Sequence, residues 1–167
     1  RRRLRLAPYE RHASSGRHGT GLLAMKFNER AEALRARPWD VVTVQQASHF
    51  SNHFETYEPG LSVLAAAIRE ACPQAKLYIH ETWAYEEGSA RLCNLMHYDT
   101  QDAMFADVLA AYEKAADTIH ADGIIRSGEA FQTLFHEHIK PYQRDTFHAS
   151  YGLGRYMLGL VWYHTLT

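Results

Sequence analysis

The chain has 167 residues, of which 46% are hydrophobic and 22% charged, a length and composition typical of one globular domain. It contains 18 Lys and Arg against 19 Asp and Glu, and this net charge of -1 excludes a strong overall attraction to nucleic acid or to an anionic membrane. No apolar run approaches the roughly 18 residues that cross a bilayer, and two cysteines are too few for a disulfide framework.

The first 38 residues form a basic N-terminal segment that is rich in arginine. Residues 4–8 alternate like a short strand, residues 9–21 favour a loop, and residues 22–37 have near-helical apolar spacing until Pro38. The segment lacks the interleaved aromatic residues of a nucleic-acid stacking platform, so we predict no nucleic-acid partner and no membrane partner. The Arg-rich start is not followed by a signal-peptide apolar run, and we therefore expect a cytoplasmic protein with reduced thiols.

From residue 39 onwards, strand and helix patterns alternate along the chain. Predicted strands are β-branched or apolar runs at residues 39–45, 76–82 and 123–126. The helices predicted at residues 59–72 and about 100–120 have apolar residues at i, i+3, i+4 and i+7. Further helices are predicted at residues 127–135 and, from an apolar run, at residues 153–166. Ser127 is expected to cap the third of these helices. This alternation predicts a parallel sheet covered on both faces, that is, a three-layer α/β/α sandwich formed by residues 39–167.

Polar side chains follow the carboxyl ends of the predicted strands, where parallel sheets bind their ligands. They form a candidate substrate cleft together with the loop before the last helix. These residues are Gln45, Gln46, Ser48, Glu81, Trp83, Ser127 and Glu129.

Asp145 and His148 precede the last helix with an Asp-x-x-His spacing, which can place carboxylate and imidazole on one helical face. In a catalytic interpretation, Asp145 orients His148, and His148 acts as a general base towards a hydroxyl nucleophile. In a structural interpretation, Asp145 only caps the first turn of a helix. The two-residue pattern alone favours the structural interpretation.

Two cleft residues have structural alternatives as well. Trp83, with the nearby Tyr85, can form a platform for a sugar ring or an acyl group, or can simply pack over the edge of the sheet. Glu129 can be a second carboxylate in the cleft, or a first-turn residue favoured by the helix dipole.

The eleven histidines raise the question of a metal site. His49 and His53 would share a face only in a helix, which the surrounding loop pattern opposes, and His136 and His138 would share one only in a strand. Neither pair supplies the three ligands of a catalytic zinc site, so no metal and no cofactor is predicted.

Several stretches taken together resemble the SGNH (GDSL-like) hydrolase superfamily, and most closely a bacterial subgroup of SGNH-like proteins of mostly unknown function. The matching stretches are residues 39–48, 81–85, 121–131, 144–148 and 152–156. The resemblance implies a flavodoxin-like sheet and hydrolysis of acyl or acetyl esters, including esters of carbohydrates. It implies catalytic roles for Asp145 and His148, and an oxyanion role for Gln45, with Gln46 as the second choice.

The family's nucleophile belongs to a Gly-x-Ser segment directly after the first strand, and residues 1–38 contain no apolar strand that ends in such a motif. Ser14 and Ser15 precede Gly16, but the Arg- and His-rich approach to them is not a buried strand. The expectation is therefore that the first strand and the nucleophilic serine are missing by truncation. The alternative is a pseudoenzyme, that is, a carbohydrate-binding or interaction domain with the same fold.

Overall fold

The computed structural model describes residues 32–167, in which strands and helices alternate. The strands are β1 (Val41–Val44), β2 (Lys76–His80) and β3 (Gly123–Ile125). The α-helices are α1 (Gly60–Ala71), α2 (Gln101–Thr118), α3 (Ser127–His136) and α4 (Leu153–Leu166). A short 3-10 helix at Phe54–Thr56 and a π-helical turn at Arg91–Leu95 lie in the loops after β1 and β2.

The three strands form one parallel sheet in the order β1-β2-β3. In the register of the sheet, Val44 lies opposite Ile79, and Ile79 lies opposite Ile124. Each connection crosses over through a helix, which is the connection that parallel neighbours require. The predicted α/β architecture with a parallel sheet is therefore confirmed.

Helices cover both faces of the sheet because alternate strand residues point in opposite directions. One face of the sheet contributes Val42, Leu77 and Ile79 to the main core, together with apolar residues of α1 and α2. The opposite face contributes Val41, Tyr78 and Ile125, which contact Val161, Trp162 and Leu166 of α4. A third cluster joins α3 to α4 around Phe131, Leu134 and Tyr142.

The helix boundaries follow from local chemistry. Helix α2 begins after Thr100, whose hydroxyl oxygen accepts a hydrogen bond from the Ala103 amide at 3.1 Å. Helix α1 buries Leu61, Ala65 and Ile68, which lie on one face, and it ends immediately before Cys72 and Pro73.

Two local predictions were wrong. Ser127 does not cap α3, because the residue before the helix is Arg126 and the Ser127 hydroxyl contacts His80 instead. Asp145 and His148 do not lie on a helical face, because α4 begins only at Leu153. They occupy a turn between α3 and α4.

The N-terminal segment is described only from residue 32. Residues 32–35 are helical, at the end of the helix predicted for residues 22–37, and Trp39 Nε1 donates to the Ala33 carbonyl at 3.2 Å. The strand predicted at residues 4–8, and Ser14 and Ser15, lie outside the described residues. Within residues 32–167, no helix is both long and apolar enough to span a bilayer.

Candidate active site

The Asp145–His148 segment is the tip of a closed loop between α3 and α4. An isolated antiparallel bridge joins Gln143 to Ala149, and the Arg144 amide donates to the His148 carbonyl at 3.0 Å. Thr146 adopts a positive φ of 70°, a left-handed conformation that reverses the chain direction at the tip. The backbone therefore brings residues 145 and 148 together without a helix.

The segment that follows β2 holds this loop in place. Trp83 Nε1 donates to the Phe147 carbonyl at 2.7 Å, and the Glu86 amide donates to the Thr146 carbonyl at 2.8 Å. Gln143 Nε2 donates to the Ala84 carbonyl, also at 2.8 Å. These three bonds fix the loop at the carboxyl end of the sheet, which is where the sequence predicted the site.

Asp145 accepts two hydrogen bonds from His148, one by each carboxylate oxygen. Oδ2 lies 2.7 Å from His148 Nδ1, and Oδ1 lies 2.9 Å from the His148 amide nitrogen. The second bond fixes the carboxylate relative to the backbone, and the first fixes the imidazole ring. Asp145 therefore does not cap a helix, because α4 begins only at Leu153, but the same carboxylate closes the turn and orients the histidine.

The electrostatics of the pair favour an ionised Asp145. The side-chain hydrogen bond with His148 lowers the pKa of Asp145 from its ordinary value of 3.8 to about 2. Both side chains remain accessible, with relative exposures of 37% for His148 and 47% for Asp145. No residue among 32–167 hydrogen-bonds His148 Nε2, so this nitrogen can accept a proton from an incoming hydroxyl.

The imidazole of His148 packs against the ring of Phe147, which in turn packs against Tyr85. The Phe147 and His148 rings have centroids 3.7 Å apart, and Phe147 also meets Tyr85 edge-on with centroids 5.6 Å apart. The guanidinium of Arg91 lies over the Phe147 ring, 4.0 Å from its centroid. This stacking limits the freedom of the ring next to His148, and Phe147 and Arg91 were missed as site residues in the sequence analysis.

Gln45 and Gln46 follow β1 but have different partners. Gln46 Nε2 donates to the Thr56 carbonyl at 3.0 Å, and Gln46 Oε1 accepts from the Ala47 amide at 2.8 Å, so both ends of this amide hold the loop. Gln45 Oε1 lies 2.7 Å from His80 Nδ1, and residues 32–167 provide no hydrogen-bond partner for Gln45 Nε2. Neither glutamine is hydrogen-bonded to the Asp145–His148 pair within this part of the chain.

Ser48 connects the loop after β1 to the aromatic support. Its hydroxyl lies 3.1 Å from the hydroxyl of Tyr85, which itself contacts Phe147. Ser48 is therefore linked to His148 only through Tyr85 and Phe147, and no hydrogen bond joins the two residues within the described part of the chain.

Glu81 is fully buried, and its position is explained by the start of α3. Oε1 accepts from the Glu129 amide at 3.0 Å, while no described residue bonds Oε2. Burial raises the pKa of Glu81 to about 7. The side chain stabilises a helix N-terminus below the cleft instead of facing substrate.

The remaining cleft candidates have structural partners. Trp83 stacks on Phe131 with ring centroids 4.4 Å apart, which supports the packing interpretation of this side chain. Glu129 lies in the first turn of α3 and pairs with Arg126 at 2.6 Å. Residues 32–167 contain no group of three His, Cys, Asp or Glu side chains that could hold a metal ion.

The sequence analysis also missed His80, the last residue of β2. Its ring contacts Gln45, Ser127 and Trp162, which lie 35, 47 and 82 positions away along the chain. No local sequence pattern predicts these contacts, because the four residues come together only when the sheet and α4 have assembled.

A family model described as a domain of unknown function, DUF4886, matches residues 25–167. The chain belongs to the DUF4886 family. A crystal structure of a DUF4886 family protein from Bacteroides uniformis is 32% identical with a TM-score of 0.74, covering 83% of this chain and 54% of that protein. The chain therefore spans about half the length of this relative.

Two further solved structures are similar to the DUF4886 chain. A candidate SGNH hydrolase from Slackia heliotrinireducens is 26% identical with a TM-score of 0.69, covering 88% of this chain and 73% of that one. A candidate GDSL-like lipase from Parabacteroides merdae has 18% identity and a TM-score of 0.61, with coverages of 84% and 66%, and shows the fold alone. No curated protein matches the sequence. The resemblance to SGNH-like proteins of unknown function is confirmed.

Proposed function

We propose that this DUF4886 domain belongs to an ester hydrolase of the SGNH type, with His148 as the general base and Asp145 as its orienting partner. The observation that carries the proposal is the 2.7 Å contact between His148 Nδ1 and an accessible carboxylate, with no described residue bonded to His148 Nε2. An ionised Asp145 keeps the Nδ1 proton facing the carboxylate, and it stabilises the imidazolium that forms when Nε2 takes a proton.

The reaction follows from these roles. A serine oxygen attacks the ester carbonyl carbon and forms a new C–O bond while its proton passes to His148 Nε2. The tetrahedral intermediate then expels the alcohol, which receives that proton from His148. A water molecule repeats both steps on the acyl-enzyme, which releases the acid and regenerates the serine.

Gln45 is the better candidate for the oxyanion donor. Its Nε2 has no protein partner within residues 32–167, whereas the Gln46 amide is occupied by Thr56 and Ala47. An amide donor aimed at the developing oxyanion contributes about 10²–10³-fold to kcat in hydrolases.

In this proposal the nucleophile is a serine outside residues 32–167. Three described serines close to the site have other partners: Ser48 pairs with Tyr85, Ser127 with His80, and Ser150 with the Pro141 carbonyl. The candidates are then Ser14, Ser15 and any serine encoded upstream of Arg1. The proposed substrates are acyl or acetyl esters of small alcohols or carbohydrates, as the SGNH hydrolase likeness suggests.

A labelling experiment on the protein expressed from its complete gene tests this function. A fluorophosphonate probe should modify one serine, which mass spectrometry of the digested protein identifies. His148→Ala should abolish both labelling and p-nitrophenyl acetate hydrolysis, whereas His164→Ala, which changes an exposed histidine of α4, should preserve both. Absence of labelling and hydrolysis in the wild-type protein, with sugar ligands still bound, would instead identify a non-catalytic binding domain.

A further inference from the structure

His80 lies at the carboxyl end of β2 with a partner at each ring nitrogen. Nδ1 lies 2.7 Å from Gln45 Oε1. Nε2 lies 2.8 Å from the Ser127 hydroxyl and 3.3 Å from Trp162 Nε1. These contacts join the end of β1, the start of α3 and the middle of α4, so we call Gln45, His80, Ser127 and Trp162 the His80 network.

The chemistry of Trp162 determines the tautomer of His80. An indole N–H can only donate, so His80 Nε2 must present its lone pair to Trp162. The Ser127 hydroxyl donates to the same nitrogen. A neutral imidazole with an unprotonated Nε2 carries its proton on Nδ1, and that proton can only be donated to Gln45 Oε1.

The surroundings keep His80 in this neutral form. Burial lowers the pKa of His80 to about 4, so the ring is uncharged at neutral pH. Ser127 is completely buried, and the Trp162 ring meets the His80 ring edge-on with centroids 5.0 Å apart. The imidazole is therefore a fixed donor and not a proton carrier.

The orientation of Gln45 follows from the tautomer. Because the carbonyl oxygen of the amide receives the Nδ1 proton, the amide NH₂ group must point the other way. Gln45 is exposed, and the described residues leave its NH₂ group without a protein acceptor. The group is thus presented at the carboxyl edge of the sheet with its donor end outwards.

We propose that His80 is a positioning residue that holds the Gln45 carboxamide with its NH₂ group towards the substrate oxyanion. Without this bond, an exposed glutamine would exchange between rotamers and between its two amide orientations, and part of its electrostatic benefit in the transition state would be lost. The role of the Gln45 NH₂ group in catalysis rests on the proposed function. The fixed orientation of Gln45 does not, since it does not depend on turnover.

The first test is nitrogen-15 NMR of the imidazole in the protein expressed from its complete gene. The expected spectrum of His80 shows a protonated Nδ1 and an unprotonated Nε2, unchanged between about pH 6 and about pH 8. A protonated Nε2, or a ring that titrates in this range, would overturn the positioning role whether or not the protein hydrolyses esters.

The second test compares two substitutions of His80. Asn places a side-chain NH₂ group where Nδ1 stood, so His80→Asn should keep kcat within about threefold of the wild type, whereas His80→Leu should lower kcat about tenfold or more with little change in KM. Both variants lose the Ser127 and Trp162 bonds. A purely structural role would therefore affect the two alike.

A double-mutant cycle with Gln45→Ala gives the final separation. If His80 acts through Gln45, His80→Leu should cause no further loss of kcat in the Gln45→Ala background. An undiminished loss there would overturn the proposal. If Gln45→Ala itself leaves kcat unchanged while NMR shows the expected tautomer, the oxyanion role of Gln45 is wrong. The hydrogen bond by which His80 orients Gln45 is then still supported.

Discussion

The candidate site contains two histidines, His148 and His80, whose Nδ1 atoms make contacts of the same length. The two rings differ in the acceptor that Nδ1 contacts and in the partners of Nε2. His148 Nδ1 lies 2.7 Å from a carboxylate oxygen, and His80 Nδ1 lies 2.7 Å from an amide oxygen. His148 is accessible and no residue among 32–167 bonds its Nε2, whereas two donors contact Nε2 of His80. Of these two histidines, only His148 has an Nε2 without a hydrogen-bond partner among residues 32–167, so only His148 is placed to accept the proton of a nucleophile.

The neighbouring carboxyl groups differ in the same way. Asp145 is exposed, and its bond with His148 lowers its pKa to about 2. Glu81, next to His80, is fully buried, and burial raises its pKa to about 7. The charged carboxylate beside His148 suits the proposed proton transfer, whereas the buried Glu81 carboxyl holds the start of α3 through the Glu129 amide.

The largest expected effect comes from removing the charge beside His148. Asp145→Asn should lower kcat by about 10²–10⁴-fold, because an amide neither stabilises the imidazolium nor keeps the Nδ1 proton in place. Steady-state ester hydrolysis measures this change. Asp102→Asn is the matched control, since Asp102 pairs with the exposed His136 at 3.0 Å on the surface, and equal losses in the two variants would contradict the assignment.

The next effect distinguishes the two glutamines. Gln45→Ala should reduce kcat by about 10²–10³-fold with little change in KM, because its amide contributes mainly in the transition state. Gln46→Ala should instead lower the free energy of unfolding, since its amide holds the Thr56 loop. Kinetics and urea unfolding of both variants test this division, and a reversed pattern would assign the oxyanion role to Gln46.

The packing of the Asp145–His148 loop against α4 can be disturbed through Gly154. A Cβ at this position would clash with the Tyr142 carbonyl and approach Ala149 Cα to 3.2 Å. Gly154→Ala should therefore lower the free energy of unfolding by about 1–3 kcal/mol. On the same helix nothing lies within 4 Å of a Cβ at Gly159, so Gly159→Ala should raise stability by up to about 1 kcal/mol. Urea denaturation of both variants tests this, and equal shifts would contradict the close contact.

The smallest effect concerns the pH dependence of stability. Glu81 keeps its proton to about pH 7 in the folded state, whereas its ordinary pKa is 4.5. The folded protein thus binds more protons between these values, and the free energy of unfolding should fall as the pH rises through this window. Glu81→Gln keeps an acceptor for the Glu129 amide and should remove this dependence, with a gain of about 1–3 kcal/mol at pH 8.

Chemical denaturation at about pH 5 and about pH 8 measures the change. Asp145→Asn is the control, because the stability that Asp145 contributes is present above its ordinary pKa of 3.8 and is lost only as the pH falls towards 2. Identical pH dependence in wild type and Glu81→Gln would contradict the buried, protonated carboxyl.

The fold was predictable because its signals are local. The apolar run of β2 and the spacing of Leu61, Ala65 and Ile68 in α1 both come from short stretches of sequence. The contact between Asp145 and His148 was also predicted from a local motif, although the spacing suggested a helix and the structure has a turn stabilised by Trp83 and Glu86. The His80 network could not be predicted in this way, because tertiary contacts alone bring its members together.

The most direct test of the division between the two histidines is the same substitution at both. The side-chain NH₂ group of Asn takes the place of Nδ1 as a hydrogen-bond donor at each site. The substitution removes Nε2, which is the atom whose proposed role differs between His148 and His80. His148→Asn should lower kcat by about 10²–10⁴-fold, while His80→Asn should keep it within about threefold. Comparable activity of His148→Asn and the wild type, or a larger loss in His80→Asn, would contradict the assignment of His148 as the base.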